Sequence, residues 1–146
     1  TDIQAAIGMV QLKRLESFQQ RRREIVAMYN AAFANLPEIQ TPAERSNVGH
    51  AWHLYVMRLN LNRLNINRSR FIEELKARNI GTSVHFIPVH LHPFYRQTCG
   101  WEAEDFPIAY GEYQRTISLP LHPRLTDEDA HDVIQAVLDV VEQYRC

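Results

Sequence analysis

The stretch TDIQAAIGMVQLKRLESFQQRRREIVAMYNAAFANLP, residues 1–37, predicts one helix of unusual length. Thr1 and Gln4 have the spacing of a capping box, in which each side chain satisfies a free backbone N–H of the other residue. Apolar residues then recur at spacings of three, four or their sum as far as Leu36, where a proline follows. Because globular helices average roughly 11 or 12 residues, we interpret residues 1–36 as a long connecting helix between two domains.

The rest of the chain alternates between strand-like and helix-like segments. Strands are predicted at 52–59, 82–87 and 116–119. Further helices are predicted near 67–79, at 106–113 and from Thr126 for about 18 residues. Loops are predicted at 38–49, from their polar composition, and at 89–100, which lacks any periodicity. This order predicts an α/β (α+β) fold in which residues 50–146 form a small, mostly antiparallel three-stranded sheet with helices on one face.

Length and composition narrow the class of protein. The 146 residues suit one domain, and a hydrophobic fraction of 45% is typical of a globular chain. A net charge of −1 disfavours nucleic acid and anionic membranes as partners, and no apolar run approaches the roughly 20 residues that span a bilayer. The two cysteines are too few for a disulfide framework, so we expect a cytoplasmic protein. The chain begins at Thr1 within a helical pattern, and we therefore expect it to be part of a longer protein.

Histidines are concentrated between the second predicted strand and the loop that follows it. His85, His90 and His92 lie within eight residues, which raises the question of a zinc site, although no third ligand is evident from the sequence. Two other interpretations are that the histidines are structural and that they donate hydrogen bonds to phosphate or sugar oxygens. Tyr95 beside Arg96 favours the last interpretation, because an aromatic hydroxyl next to a guanidinium can stack on a ring and bind phosphate.

Few residues are candidates for covalent catalysis. Ser83 or Ser118 with a nearby histidine would be the only starting points for a nucleophile, and neither has the sequence setting of a nucleophile elbow. The only lysines, Lys13 and Lys76, have charged neighbours on predicted helices, where an ammonium group stays solvated and protonated. The sequence therefore predicts no catalytic residue within this chain.

The segments of this chain, in order, resemble the C-terminal part of the DegT/DnrJ/StrS family of pyridoxal-phosphate (PLP) nucleotide-sugar aminotransferases. The resemblance is carried by TDIQAAIGMVQLKRLESFQQRRREIVAMYN, HAWHLYVMRL, FIEELKARNIGTSVHFIPVHLHPFYR and FPIAYGEYQRTISLPLHPRLTDEDAHDVIQAV. It implies the small C-terminal domain of a fold-type I aminotransferase. The PLP-binding lysine and the phosphate cradle would belong to a large N-terminal domain absent from this chain.

The resemblance also implies a function. The parent enzyme would transfer an amino group from glutamate to a UDP- or dTDP-linked keto-sugar for cell-surface polysaccharide, as a homodimer, while this chain alone would be inactive. His85, His90 and Tyr95 would line the sugar-nucleotide site. His85 would donate a hydrogen bond, His90 would lie near the diphosphate and Tyr95 would pack by the sugar or base. Two alternatives stay open: a sugar dehydratase of the same family, and a non-catalytic dimerisation or docking module.

Overall fold

Five α-helices surround one three-stranded antiparallel sheet in the computed structural model, which describes residues 1–146. The helices are α1 (Asp2–Phe33), α2 (Arg68–Ala77), α3 (Pro93–Cys99), α4 (Pro107–Arg115) and α5 (Asp127–Tyr144). The strands are β1 (Ile39–Gln40), β2 (Tyr55–Leu59) and β3 (Thr116–Leu119). Short 3-10 turns lie at Leu61–Arg63, Val89–Leu91 and Ala103–Asp105. The predicted fold class is confirmed.

The register of the sheet decides which side chains enter the core. The strand order is β1-β2-β3, and Tyr55 pairs with Leu119 while Met57 pairs with Ile117. Because side chains alternate between the two faces of a strand, these four residues share one face, and all four are buried. Helices α1, α2 and α5 pack on this face and contribute to one core of 21 buried residues. The chain therefore has a hydrophobic core of its own.

Helix α1 joins this core only through its C-terminal part. Ile25, Val26, Tyr29 and Phe33 are its buried residues, and the Tyr29 hydroxyl donates to the Pro120 carbonyl at 2.9 Å. Residues 2–17 are all exposed, including the large apolar side chains Ile3, Ile7, Met9, Val10, Leu12 and Leu15. The first half of α1 thus extends beyond the core. No helix of the structure combines the length and the apolar character that a membrane span requires.

Two of the strand predictions differ from the structure. The predicted strand at 82–87 is wrong, because only Ser83 pairs with β3, through a single bridge to Ser118. The alternation there reflects a chain that runs exposed over the sheet, and Pro88, which lacks a backbone N–H, precedes a 3-10 turn. Conversely, the two-residue strand β1 lies in the segment predicted as a loop. At the first predicted strand, Trp52 adopts a φ of 44°, so the strand begins only at Tyr55.

The helix predictions are mostly confirmed. Helix α5 spans 18 residues from its Thr126 cap, and α2 ends within the predicted region, where Asn79 takes a left-handed conformation with a φ of 64°. Helix α1 ends at Phe33, three residues before the predicted end. The prediction that 89–100 is a loop is wrong, since α3 lies within it. Its Pro93 occupies the first turn and Gly100 forms a left-handed cap, which are both ordinary helix signals.

Candidate functional site

Polar side chains gather on the face of the sheet turned away from the core. In β2 this face carries Val56 and Arg58, and in β3 it carries Thr116 and Ser118, because Val56 pairs with Ser118 and Arg58 pairs with Thr116. The short helix α4 reaches the same face, where Arg58 Nε donates to Glu112 Oε2 at 2.6 Å. This second face is therefore polar and only partly covered by the chain.

Two arginines hold Glu112 in place on the second face. Arg115 donates to Oε1 and Arg58 donates to Oε2. The hydrogen bond from Arg115, together with the one from Arg58, keeps the pKa of Glu112 below its ordinary value, and partial burial opposes this shift. Both guanidinium groups therefore have a carboxylate partner, and neither is a free cation for a ligand phosphate.

His85 lies over the second face, beside Ser118. Its Nδ1 is 3.0 Å from Ser118 Oγ and 3.3 Å from Ser83 Oγ. The same serines tie the segment to β3, because Ser83 N–H donates to the Ser118 carbonyl at 3.2 Å and Ser118 N–H donates to the Ser83 carbonyl at 2.8 Å. The ring is exposed, and its Nε2 forms no hydrogen bond within the chain. One nitrogen of His85 is held by the fold while the other is free to meet a ligand.

This contact does not make a nucleophile of either serine. Ser118 is 3% exposed, so its hydroxyl cannot reach a substrate outside the chain. Ser83 is exposed, but it shares the same histidine nitrogen at the longer distance of 3.3 Å, and no carboxylate hydrogen-bonds His85 to orient it as a base. The arrangement favours hydrogen bonding by His85 over covalent catalysis.

His90 and Tyr95 belong to a different group, the aromatic cluster of His90, Tyr95, Trp101 and Phe106. The His90 ring stacks on Phe106 with centroids 4.6 Å apart, Phe106 meets Trp101 edge-on at 5.3 Å, and Trp101 stacks on Tyr95 at 5.9 Å. Tyr95 is at the surface, whereas His90 is buried and its Nε2 has no partner within the chain. No ring contact or hydrogen bond joins His85 to this cluster. The structure thus unites two of the three predicted residues and places the third in a separate polar group.

Around these two groups the surface is unusually apolar. Phe86, Phe94 and Ile108 are 76%, 66% and 84% exposed, and Ile87 and Val89 are also exposed. Isolated exposed apolar residues are common, but several large ones from one region of a chain are typical of a surface that another protein part covers.

Both lysines lie at the surface, and the histidines do not form a metal-binding cluster. Lys13 and Lys76 are exposed on α1 and α2. No three side chains among His, Cys, Asp and Glu come together in a way that could hold a metal. His92, the third histidine of the predicted group, instead contacts the Ile87 carbonyl through Nε2 at 3.3 Å.

The two larger cavities are not lined by the predicted residues. One of about 330 Å³ is lined by Leu91, Pro93, Arg96, Gln97 and Glu102, and one of about 320 Å³ lies between α2 and α4. Neither is lined by His85, His90 or Tyr95. His85 and Tyr95 lie instead at an exposed surface. A ligand-binding site that includes them requires a further wall.

The sequence did not predict that Ser118 is the partner of His85. The polar residues Thr116 and Ser118 alternate with the apolar Ile117 and Leu119, which is the signal that separates the two faces of a strand. That signal predicts a polar second face at Ser118. It does not identify the side chain that approaches from 33 positions away.

Comparison with known proteins assigns the family. The model of the DegT/DnrJ/EryC1/StrS aminotransferase family matches residues 1–138. The chain is 55% identical over 145 residues to the uncharacterized protein MJ1066 of Methanocaldococcus jannaschii, covering 99% of this chain and 38% of that protein. It is 49% identical over 142 residues to the spore coat polysaccharide biosynthesis protein SpsC of Bacillus subtilis, covering 97% of this chain and 36% of SpsC.

A solved structure agrees with the sequence relatives. Spr1654 of Streptococcus pneumoniae, which carries the name of a sugar aminotransferase, superposes in its PLP form with a TM-score of 0.88 at 35% identity. The match covers 98% of this chain and 36% of Spr1654, so the chain spans a little more than a third of the length of all three proteins. Because the family model matches almost the whole chain, the chain belongs to the DegT/DnrJ/EryC1/StrS aminotransferase family.

Proposed function

We propose that this chain forms one wall of the sugar-nucleotide site of a PLP-dependent aminotransferase. The parent enzyme would transfer an amino group from glutamate to a UDP- or dTDP-linked keto-sugar for cell-surface polysaccharide. Membership of the family supports the aminotransferase, and the names of SpsC and Spr1654 support sugars and polysaccharide. The observation that carries the proposal for this chain is His85, whose Nδ1 is held by serine hydroxyls while its Nε2 is free at an exposed surface.

Each predicted residue has a distinct part in this wall. His85 donates a hydrogen bond from Nε2 to an oxygen of the sugar nucleotide, because a neutral or protonated imidazole can donate to such an acceptor. Tyr95, at the surface of the aromatic cluster, packs against the sugar or base. His90 is 5% exposed and lies in the layer beneath the surface, near the diphosphate. Its ring stacks on Phe106 and so holds that part of the wall in place. The wall binds and orients the substrate, while PLP supplies the electron sink of amino transfer.

The organisation of domains is part of the same proposal. Residues 1–36 are a connecting helix whose C-terminal part packs in the core, and residues 50–146 together with β1 are the sheet domain, while PLP is bound by a part of the protein outside this chain. The exposed apolar residues of α1 and of segment 86–108 support this organisation, because a large domain or the second subunit of a homodimer would cover them. The chain would therefore both contact that domain or subunit and form part of the sugar-nucleotide site.

Substitution of His85 in the full-length enzyme tests the proposal. His85→Ala should raise KM for the sugar nucleotide several-fold, since one hydrogen bond to the bound substrate is lost. His131→Ala is a matched control, because His131 is an exposed histidine on α5, on the helix-covered side of the sheet. It should leave KM unchanged. An unaltered KM in His85→Ala would refute the assignment of this wall.

A further inference from the structure

The buried hydroxyl group of Ser118 is paired with His85. Ser118 is 3% exposed, and its side chain forms one hydrogen bond, to His85 Nδ1 at 3.0 Å. A serine hydroxyl carries one proton to donate, and a buried donor without an acceptor is costly. His85 Nδ1 is the only acceptor that the Ser118 hydroxyl meets within the chain, so donation toward Nδ1 is the arrangement that satisfies the buried proton.

A nitrogen that accepts a hydrogen bond carries no proton itself. In a neutral imidazole one nitrogen donates and the other accepts, so acceptance at Nδ1 places the ring proton on Nε2. Ser83 does not oppose this assignment. Its hydroxyl is exposed and lies farther from Nδ1, at 3.3 Å, so water can satisfy it. The paired backbones of Ser83 and Ser118 hold both hydroxyls at the same nitrogen.

We propose that Ser118 is a positioning residue, which holds His85 in the tautomer that carries its proton on Nε2. The free nitrogen of His85 then offers an N–H donor. It therefore recognises an acceptor oxygen of the ligand, such as a carbonyl or phosphoryl oxygen. That the ligand is a sugar nucleotide rests on the proposed function. The tautomer itself follows from the contacts of Ser118 alone.

Nitrogen NMR of the full-length protein labelled with 15N-histidine tests the assignment. At about pH 8.5, where histidine is ordinarily neutral, His85 should show one tautomer, with Nδ1 unprotonated and Nε2 protonated. Ser118→Ala should convert this single form into a mixture of both tautomers, and Ser83→Ala should preserve it. Ser118→Thr keeps the hydroxyl and should restore the single form. A wild-type protein with the proton on Nδ1 would overturn the inference without any variant.

Kinetics separates this inference from the proposed function. Loss of the orienting hydroxyl should raise KM for the sugar nucleotide by about two- to tenfold in Ser118→Ala, with kcat little changed. If His85→Ala raises KM while Ser118→Ala changes neither KM nor the tautomer, the positioning role is refuted and the proposed wall stands. If Ser118→Ala releases the tautomer but neither variant changes KM, the positioning role stands and the proposed wall is refuted.

Discussion

Replacement of Tyr29 by phenylalanine should destabilise the chain at neutral pH. This destabilisation should disappear at alkaline pH. Tyr29 is fully buried in α1, and its hydroxyl donates to the Pro120 carbonyl at 2.9 Å, just after β3. Tyr29→Phe keeps the ring and removes this one hydrogen bond, which should cost about 1 kcal/mol of the free energy of unfolding. The effect is small because the substitution leaves no large cavity.

The alkaline behaviour follows from the pKa of the same hydroxyl. Burial raises the pKa of Tyr29 well above its ordinary value of 10.0. Because the folded pKa is the higher one, the contribution of the protonated hydroxyl to stability is complete below about pH 10 and is lost as pH rises toward the folded pKa. At pH 11 ionisation of the unfolded wild-type chain costs it about 1.4 kcal/mol. Phenylalanine does not ionise, so the variant should equal the wild type between about pH 10.5 and pH 11.

Urea unfolding at pH 8 and pH 11, followed by the fluorescence of the buried Trp52, measures both values. Tyr95→Phe is the control, because its ring lies at the surface and its hydroxyl forms no hydrogen bond within the chain. This control should change the free energy of unfolding by less than about 0.5 kcal/mol at both pH values. If Tyr29→Phe gives the same destabilisation at pH 8 and pH 11, the assignment of a buried, neutral hydroxyl is wrong.

Two further predictions concern Glu112 and the lysines. The pKa of Glu112 is lowered from its ordinary 4.5, so its ion pairs stabilise the fold at neutral pH and this stability is lost as pH falls through the folded pKa. Glu112→Gln should therefore lower the free energy of unfolding by less than about 1 kcal/mol at pH 7, since the ion pairs are partly exposed. Urea unfolding at pH 3 should show a smaller difference between the variant and the wild type. An equal difference at both pH values would contradict the assignment. Because Lys13 and Lys76 are exposed, where an ammonium group stays solvated, the 146-residue chain alone should show neither the absorbance band of a PLP–lysine adduct nor transaminase activity. An absorbance band that disappeared in Lys13→Ala or Lys76→Ala would reverse this expectation.

The elements predicted correctly are those whose signals are local. Thr126 and Asp129 form the capping box of α5, with a hydrogen bond of 2.8 Å from Thr126 N–H to the Asp129 carboxylate. Asn79 ends α2 in the left-handed conformation that few other residues tolerate. These contacts join residues at most a few positions apart, so a single sequence contains them in full.

The errors occurred where distant partners decide the structure. Residues 82–87 alternate as a strand does, yet only Ser83 finds backbone partners on β3. β1 has no strand pattern of its own and forms because Ile39 and Gln40 meet Leu59 and Arg58 of β2. Helix α3 is the exception, since Pro93 and Gly100 marked both of its ends locally.

The amino-acid sequence by itself determined four of the five helices, the fold class and the family resemblance, because periodicity, capping and motif order are properties of neighbouring positions. Only the tertiary structure decided that His85 meets Ser118, that His90 and Tyr95 share an aromatic cluster, and that these two groups are separate. The register of β3 on β2 brings the Ser118 hydroxyl to the second face of the sheet, and the bridge at Ser83 brings His85 to it. A contact between side chains 33 positions apart depends on the free energy of the whole fold, which no local pattern contains.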